Sequence, residues 1–118
     1  MQTGIKQVKT SDAILKAMEM IGDKSKWTKG TCARNDRDVA VMTGDPAACK
    51  FCMIGALDVA SRSRSSIPAG YILSAANKGK EDWRYHNIPS YNDVQNRSHE
   101  QVMNTMMTAA FLALADGK

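Results

Sequence analysis

Two cysteines stand three apart in residues 48–57, ACKFCMIGAL, and a third, Cys32, precedes them. A C-x-x-C pair carries out dithiol–disulfide exchange when it opens a helix after a strand, because the helix dipole lowers the pKa of the first thiol. Asp45 and Pro46 read as a helix start, an N-cap acid followed by proline at the first helical position. That start puts Cys49 about a turn inside the helix and Cys52 deeper, where the dipole fades, and no apolar strand ends at the motif. A thioredoxin-like role is therefore disfavoured. Cys32, Cys49 and Cys52 with His86 or His99 contain enough ligands for a zinc tetrahedron, but they lack the second short spacing such sites show. Cys52 as a nucleophile needs a histidine and an orienting group. His99 with Asp93 or Asn92 is the available set. Against it stands the plainer reading, in which Cys52 packs, Asp93 turns the chain and His99 faces solvent.

The elements that must position these residues follow from periodicity and punctuation. Residues 1–9 are polar and expected to be loose, with one globular domain over 10–118. Thr10, Ser11 and Asp12 offer N-cap oxygens, Ile14, Leu15, Met18 and Ile21 repeat at helical spacing, and Gly22 ends the run. Residues 31–34 and 39–42 are short extended candidates around the polar turn 35–38, a hairpin. Beyond Asp45, the stripe Ala48, Phe51, Cys52, Gly55, Ala56 and Val59 predicts a helix with one buried face. Its small residues allow another backbone to approach closely, which suits a central helix. Ser66 is read as the cap of a third helix running to Gly79, with Tyr71, Ile72, Leu73 and Ala76 inward. The aromatic-rich stretch 78–93 is read as a loop, since Pro89 argues against a helix there. Ser98 and Gln101 form a capping box for a last helix whose inner face is Val102, Met103, Met106, Met107, Ala110, Phe111 and Leu114. The expected class is mainly α (α+β), about four helices around the small-residue helix with a short β-hairpin.

At 118 residues and 43% hydrophobic composition the chain suffices for one modest core. Its net charge of +4 is a mild surplus that favours anionic partners weakly and lacks the concentrated face of a duplex-DNA binder. Neither a membrane span nor the apolar core of a signal peptide stands out, so a cytoplasmic protein with no membrane partner is expected. With an odd number of cysteines and no export signal, reduced thiols are the default. Met103, Met106 and Met107 line either a core or an adaptable surface for a partner helix or a second copy.

Trp27, Gly30, Ala33 and Arg34, then Phe51, Cys52, Gly55 and Ala56, then Tyr91, Asn92 and Asp93 with Arg97 form a series of motifs. Together they resemble a family of small proteins of unknown function found in actinobacterial and bacteriophage genomes, with the pattern W-x-x-G-x-x-A-R, F-C-x-x-G-A and W-N-D. The resemblance covers most of the chain. It implies that Cys52 is the shared cysteine, so that C-x-x-C is incidental. The chain departs from the pattern at Tyr91, where tryptophan is usual, and in the insertion-like stretch before it.

The polar residues picked out this way admit two readings. In one, Asp93 pairs with Arg34 or Arg97 and Asn92 satisfies turn amides, a structural tie. In the other, Trp27, Arg34, Tyr91, Asn92, Asp93 and Arg97 line a pocket where arginine meets a phosphate or carboxylate and an aromatic stacks on a ring. Lys24, Lys26 and Lys29 beside Trp27, with Arg62 and Arg64, suit a nucleotide or single-stranded nucleic acid. The expectation drawn from all this is a phage-type accessory protein acting by binding without turnover and needing no cofactor. It would sequester a small anionic, nucleotide-like ligand such as a bacterial immune signal, as a homo-oligomer in the infected cell's cytoplasm. The alternatives are an inhibitor that binds a host protein through the Met-rich last helix, and a Cys52-dependent hydrolase or transferase.

Overall fold

Ser98 and Gln101 open the longest helix among the described residues: the Ser98 hydroxyl accepts from the Gln101 amide (3.0 Å) while the Gln101 side chain accepts from the Ser98 amide (3.0 Å). In the computed structural model, which describes residues 8–77 and 85–118, this is α5 (His99–Ala115). It runs antiparallel to α1 (Thr10–Met20): the Ser11 amide and hydroxyl both donate to the Lys118 carbonyl at one end, and His99 Nε2 lies 2.6 Å from the Ile21 carbonyl at the other. On its other side α5 packs against α3 (Ser66–Asn77).

The core is drawn from Ile14, Met18 and Ile21 of the α1 region, Met53 and Leu57 of α2 (Met53–Ala60), Ile72 of α3, Ile88 and Tyr91 of α4 (Ile88–Asn92), and Val102 and Met106 of α5. Three two-residue strands, β1 (Ala33–Arg34), β2 (Ala40–Val41) and β3 (Lys50–Phe51), form an antiparallel sheet in the order β2-β1-β3 beside the helices. The mainly α class with a hairpin therefore holds, with a third strand added. No helix among the described residues is long and apolar enough to cross a membrane.

The structure differs from the sequence reading in four places. Asp45 and Pro46 do not start a helix. The Asp45 carboxylate accepts from the Ala47 amide (2.8 Å) and its carbonyl from Ala48 (2.9 Å), closing a turn that returns the chain to pair with β1 as β3. Helix α2 thus begins at Met53, and the stripe slips: Cys52, Gly55 and Ala56 are buried, but Val59 is exposed. Second, α2 is not the central helix, since α5 lies between α1 and α3 while α2 packs chiefly on α1. Third, Pro89 does not exclude a helix. Asn87 caps α4 by accepting from the Ser90 amide (2.9 Å), and Pro89 sits in the first turn, where its missing N–H is not needed.

The fourth difference is on α5. Its buried residues are Val102, Met106, Ala109, Ala110 and Ala113, whereas Met107, Phe111 and Leu114 are exposed. Alanines let α1 and α3 come close, and that contact turns the larger side chains outward. The first helix keeps Ile14, Met18 and Ile21 inside as expected, with Leu15 half out and no side-chain oxygen capping it. Residues 1–7 of the segment expected to be loose over 1–9, the stop expected at Gly79 and residues 78–84 lie outside the described residues.

Candidate functional site

Asn92 is wholly buried at the end of α4 and has every hydrogen-bonding position of its amide in use. Its Oδ1 accepts from the Trp27 indole Nε1 (2.8 Å) and from the Met53 amide (3.1 Å). Its Nδ2 donates to the Thr28 carbonyl (3.1 Å) and to Asp93 Oδ1 (2.8 Å), and that same carboxylate oxygen accepts from the Gly30 amide (3.0 Å). Met53 is the first residue of α2, so its amide is one of the donors a helix start leaves without an intrahelical partner. Cys52, the N-cap, supplies a second acceptor there: its Sγ lies 3.3 Å from the Gly55 amide. Asn92 therefore joins three segments distant in sequence, the Trp27 loop, the start of α2 and α4.

The two arginines lie on either side of this joint. Arg34 donates from Nε to the Thr28 hydroxyl (2.8 Å), from Nη2 to the Lys29 carbonyl (3.1 Å) and from Nη1 to the Asp38 carbonyl (3.1 Å). The adjacent Gly30 has φ +83, a left-handed conformation that glycine adopts without strain. Arg97 donates to the Tyr91 carbonyl (3.0 Å) and the Tyr85 hydroxyl (2.8 Å), with its guanidinium 3.7 Å from the Tyr91 ring centroid. Neither arginine pairs with Asp93: Arg34 lies 4.0 Å from the Asp38 carboxylate instead, and both guanidinium groups are held by carbonyls and hydroxyls. Tyr91 is buried, its hydroxyl 2.6 Å from Thr105 of α5. Trp27 is half-buried against the core, with Lys29 Nζ 5.4 Å above its ring while donating to the Val94 carbonyl (2.8 Å).

In the catalytic set proposed from sequence, the side chains of Cys52 and His99 bond neither each other nor Asp93 or Asn92. Cys52 is 3% exposed, and burial pushes its thiol up to about 12, so it is protonated at neutral pH. His99 Nε2 donates to the Ile21 carbonyl, which can only accept, and its ring lies against Trp27 with centroids 5.9 Å apart. Asp93 is held by Gly30 and Asn92. The cysteines are likewise dispersed in environment, Cys32 and Cys49 exposed and Cys52 buried. Among the described residues no three His, Cys, Asp or Glu side chains are placed to hold a metal ion together.

The family model for a family of unknown function (DUF6197) matches residues 6–112. The chain belongs to that family. No curated protein and no solved structure gives a significant match. Several residues singled out from the sequence gather in space: Asn92 bonds Trp27 and the start of α2, Asp93 bonds Gly30, and Gly55 abuts Cys32.

Sequence reasoning singled out Asn92 but missed its bond from the Met53 amide, because backbone donors leave no mark in a residue pattern. It anticipated a close backbone approach at the small residues of α2, and the partner is the carbonyl of Cys32: a Cβ on Gly55 would lie 2.1 Å from that oxygen. Asn77 was also missed. It donates to the Leu73 carbonyl (2.9 Å) and the Tyr85 carbonyl (3.1 Å) and accepts from the Tyr85 amide (3.0 Å), fixing Tyr85 beside Arg97.

Proposed function

We propose that this protein acts by binding another polypeptide, without turnover, on the outer flank of α5. The observation that carries the reading is the inversion of α5: Ala109 is fully buried while Phe111 is 64% exposed, with Met107 and Leu114 beside it at spacings i, i+4 and i+7. Large apolar groups in water at such spacing suit a partner helix. Leu15 of α1 extends the same surface, for it lies one turn beyond Ser11, on the side of α1 bonded to the end of α5.

The partner that fits is an amphipathic helix with basic flanks. Asp12 and Glu19 border Leu15 on α1, and Glu100 stands two turns before Met107 on α5; all three are exposed, and Lys16 is a further step round α1. This acidic border belongs to a chain of net charge +4, so it is a local feature that steers a cationic partner. In the phage setting that the resemblance implies, such a partner would be a host protein. The small-anion reading draws less support, because Arg34 and Arg97 donate to protein oxygens on the guanidinium edges that would meet a phosphate.

Of the adjacent methionines, only Met107 belongs to this surface, since Met106 is fully buried. The test uses a dye-labelled Leu/Lys amphipathic peptide and its Leu/Glu counterpart, titrated by fluorescence anisotropy. The Leu/Lys peptide should bind at least about tenfold more tightly, and Phe111→Glu should weaken it by about tenfold or more. Equal binding of both peptides, no saturable binding, or indifference to Phe111→Glu overturns the reading. A concentration-dependent dimer abolished by Phe111→Glu would reassign the face to a second copy.

A further inference from the structure

The pairing of β1 with β3 sets Ala33 opposite Phe51 and Arg34 opposite Lys50. One step further along the same ladder Cys32 stands opposite Cys52, and the Cys52 amide donates to the Cys32 carbonyl (3.1 Å). Directly opposed residues of an antiparallel pair have Cα atoms about 4.5–5.5 Å apart and side chains on one face. A disulfide requires Cα atoms roughly 4.4–6.8 Å apart. A second contact holds the Cys32 backbone in place, since Gly55 approaches so closely that a Cβ there would meet the Cys32 carbonyl oxygen at 2.1 Å. Cys49 lies at the far end of β3, opposite the Arg34–Asn35 end of β1, where its amide donates to the Arg34 carbonyl (2.9 Å).

We infer that Cys32 and Cys52, and not the C-x-x-C pair, are a thiol pair that closes into a disulfide in the presence of oxidised glutathione, stapling the hairpin to the start of α2. This is independent of the binding surface on α5. Cys32 is exposed and meets the oxidant first. Its thiolate attacks one sulfur of glutathione disulfide and expels a glutathione thiolate, leaving glutathione bound to Cys32. The Cys52 thiol then gives up its proton and attacks the Cys32 sulfur, breaking that bond and expelling the second glutathione. Two cysteine thiols are oxidised and one glutathione disulfide is reduced to two thiols.

Cys52 is the slow partner. Burial holds its pKa at about 12 with the nearby Cys32 sulfur adding to the rise, so its thiolate fraction grows about tenfold per pH unit below that value. Closure should quicken accordingly, while the first attack on Cys32 need not follow the same slope.

The test is oxidation of the full folded chain with glutathione disulfide, acid quenching and mass analysis. Trypsin separates the three cysteines into peptides 30–34, 38–50 and 51–62, so each linkage has its own mass. The expected product has lost two hydrogens, links 30–34 to 51–62, forms unchanged in Cys49→Ser, and is reversed by dithiothreitol. Cys52→Ser should stop at the glutathione adduct on Cys32, and Cys32→Ser should form no link to Cys52. A persistent glutathione adduct on Cys32 in the unaltered chain, or a linkage to Cys49 in its place, overturns the inference.

Discussion

Around Asn92, arginines and aromatics of the kind that bind ligands face one another and the backbone. Along the outer flank of α5, large apolar side chains of the kind that fill cores face water. The first region has Asn92 fully buried with four hydrogen bonds to its amide. The second has Phe111 more than half exposed. The contrast shows that residue type alone does not tell which groups are left to meet a second molecule: buried polar groups find their partners within the chain. The surface without internal partners is where a second molecule can add contacts.

The largest effect expected at the joint separates it from a pocket. Asn92→Ala removes the acceptor of the Trp27 indole and the Met53 amide and the donor to the Thr28 carbonyl, leaving buried groups unmatched. A loss of about 4 kcal/mol is expected, read from the urea midpoint. If the variant kept its stability and lost only affinity for a nucleotide, the joint would be a ligand site and the contrast would fail. Gly55→Ala comes next, at about 3 kcal/mol, because the Cys32 carbonyl that the new methyl meets is backbone and cannot swing aside. A midpoint within error of the unaltered chain would mean that α2 and β1 stand further apart than described.

How much of this was legible in the sequence depends on where the information lies. Capping boxes and apolar periodicity are local, so Ser98 with Gln101 and the Ile14, Met18 and Ile21 face could be read directly. The Asp45–Pro46 signal is equally local, but an aspartate that caps a helix also closes a turn, and pairing of Lys50 and Phe51 with β1 decided between them. The α5 inversion was illegible for a different reason. Hydrophobicity ranks Phe111 above Ala109, whereas close packing of three helices rewards the smaller side chain. The Asn92 joint was visible as a set of residues but not as a set of bonds, because half of the partners of Asn92, Arg34 and Arg97 are main-chain groups, which leave no mark in a residue pattern.

A pH series sharpens the buried side of the contrast at Cys52. Its thiol titrates at about 12 in the fold against 9.0 for a free thiol. Between those values the unfolded chain has released its proton and the folded chain has kept it, so unfolding releases a proton and alkali favours it. The stabilisation is therefore fully present below about pH 9 and declines as pH rises toward 12, by up to about 1.4 kcal/mol per pH unit from this group. Denaturation midpoints in Cys52→Ser should lack that part of the alkaline decline. An identical decline in both proteins would place the cause in other groups.

The smallest expected effect completes the contrast. Phe111→Glu puts a charge where the side chain already meets water, and stability should change by no more than about 0.5 kcal/mol. The same change at Met106, the full turn before Ala110 and wholly buried, would place an unpaired carboxylate in the core and should unfold the chain. Thermal melts of the two variants side by side decide whether the exposed face is free in the unaltered protein. A large loss for Phe111→Glu would mean that Phe111 is packed against something in solution, and its dependence on protein concentration would tell whether that is a second copy: a melting temperature rising with concentration in the unaltered chain alone identifies self-association. A concentration-independent melt with intact stability leaves Phe111, Met107 and Leu114 open to a different partner, the condition on which the binding role proposed for α5 rests.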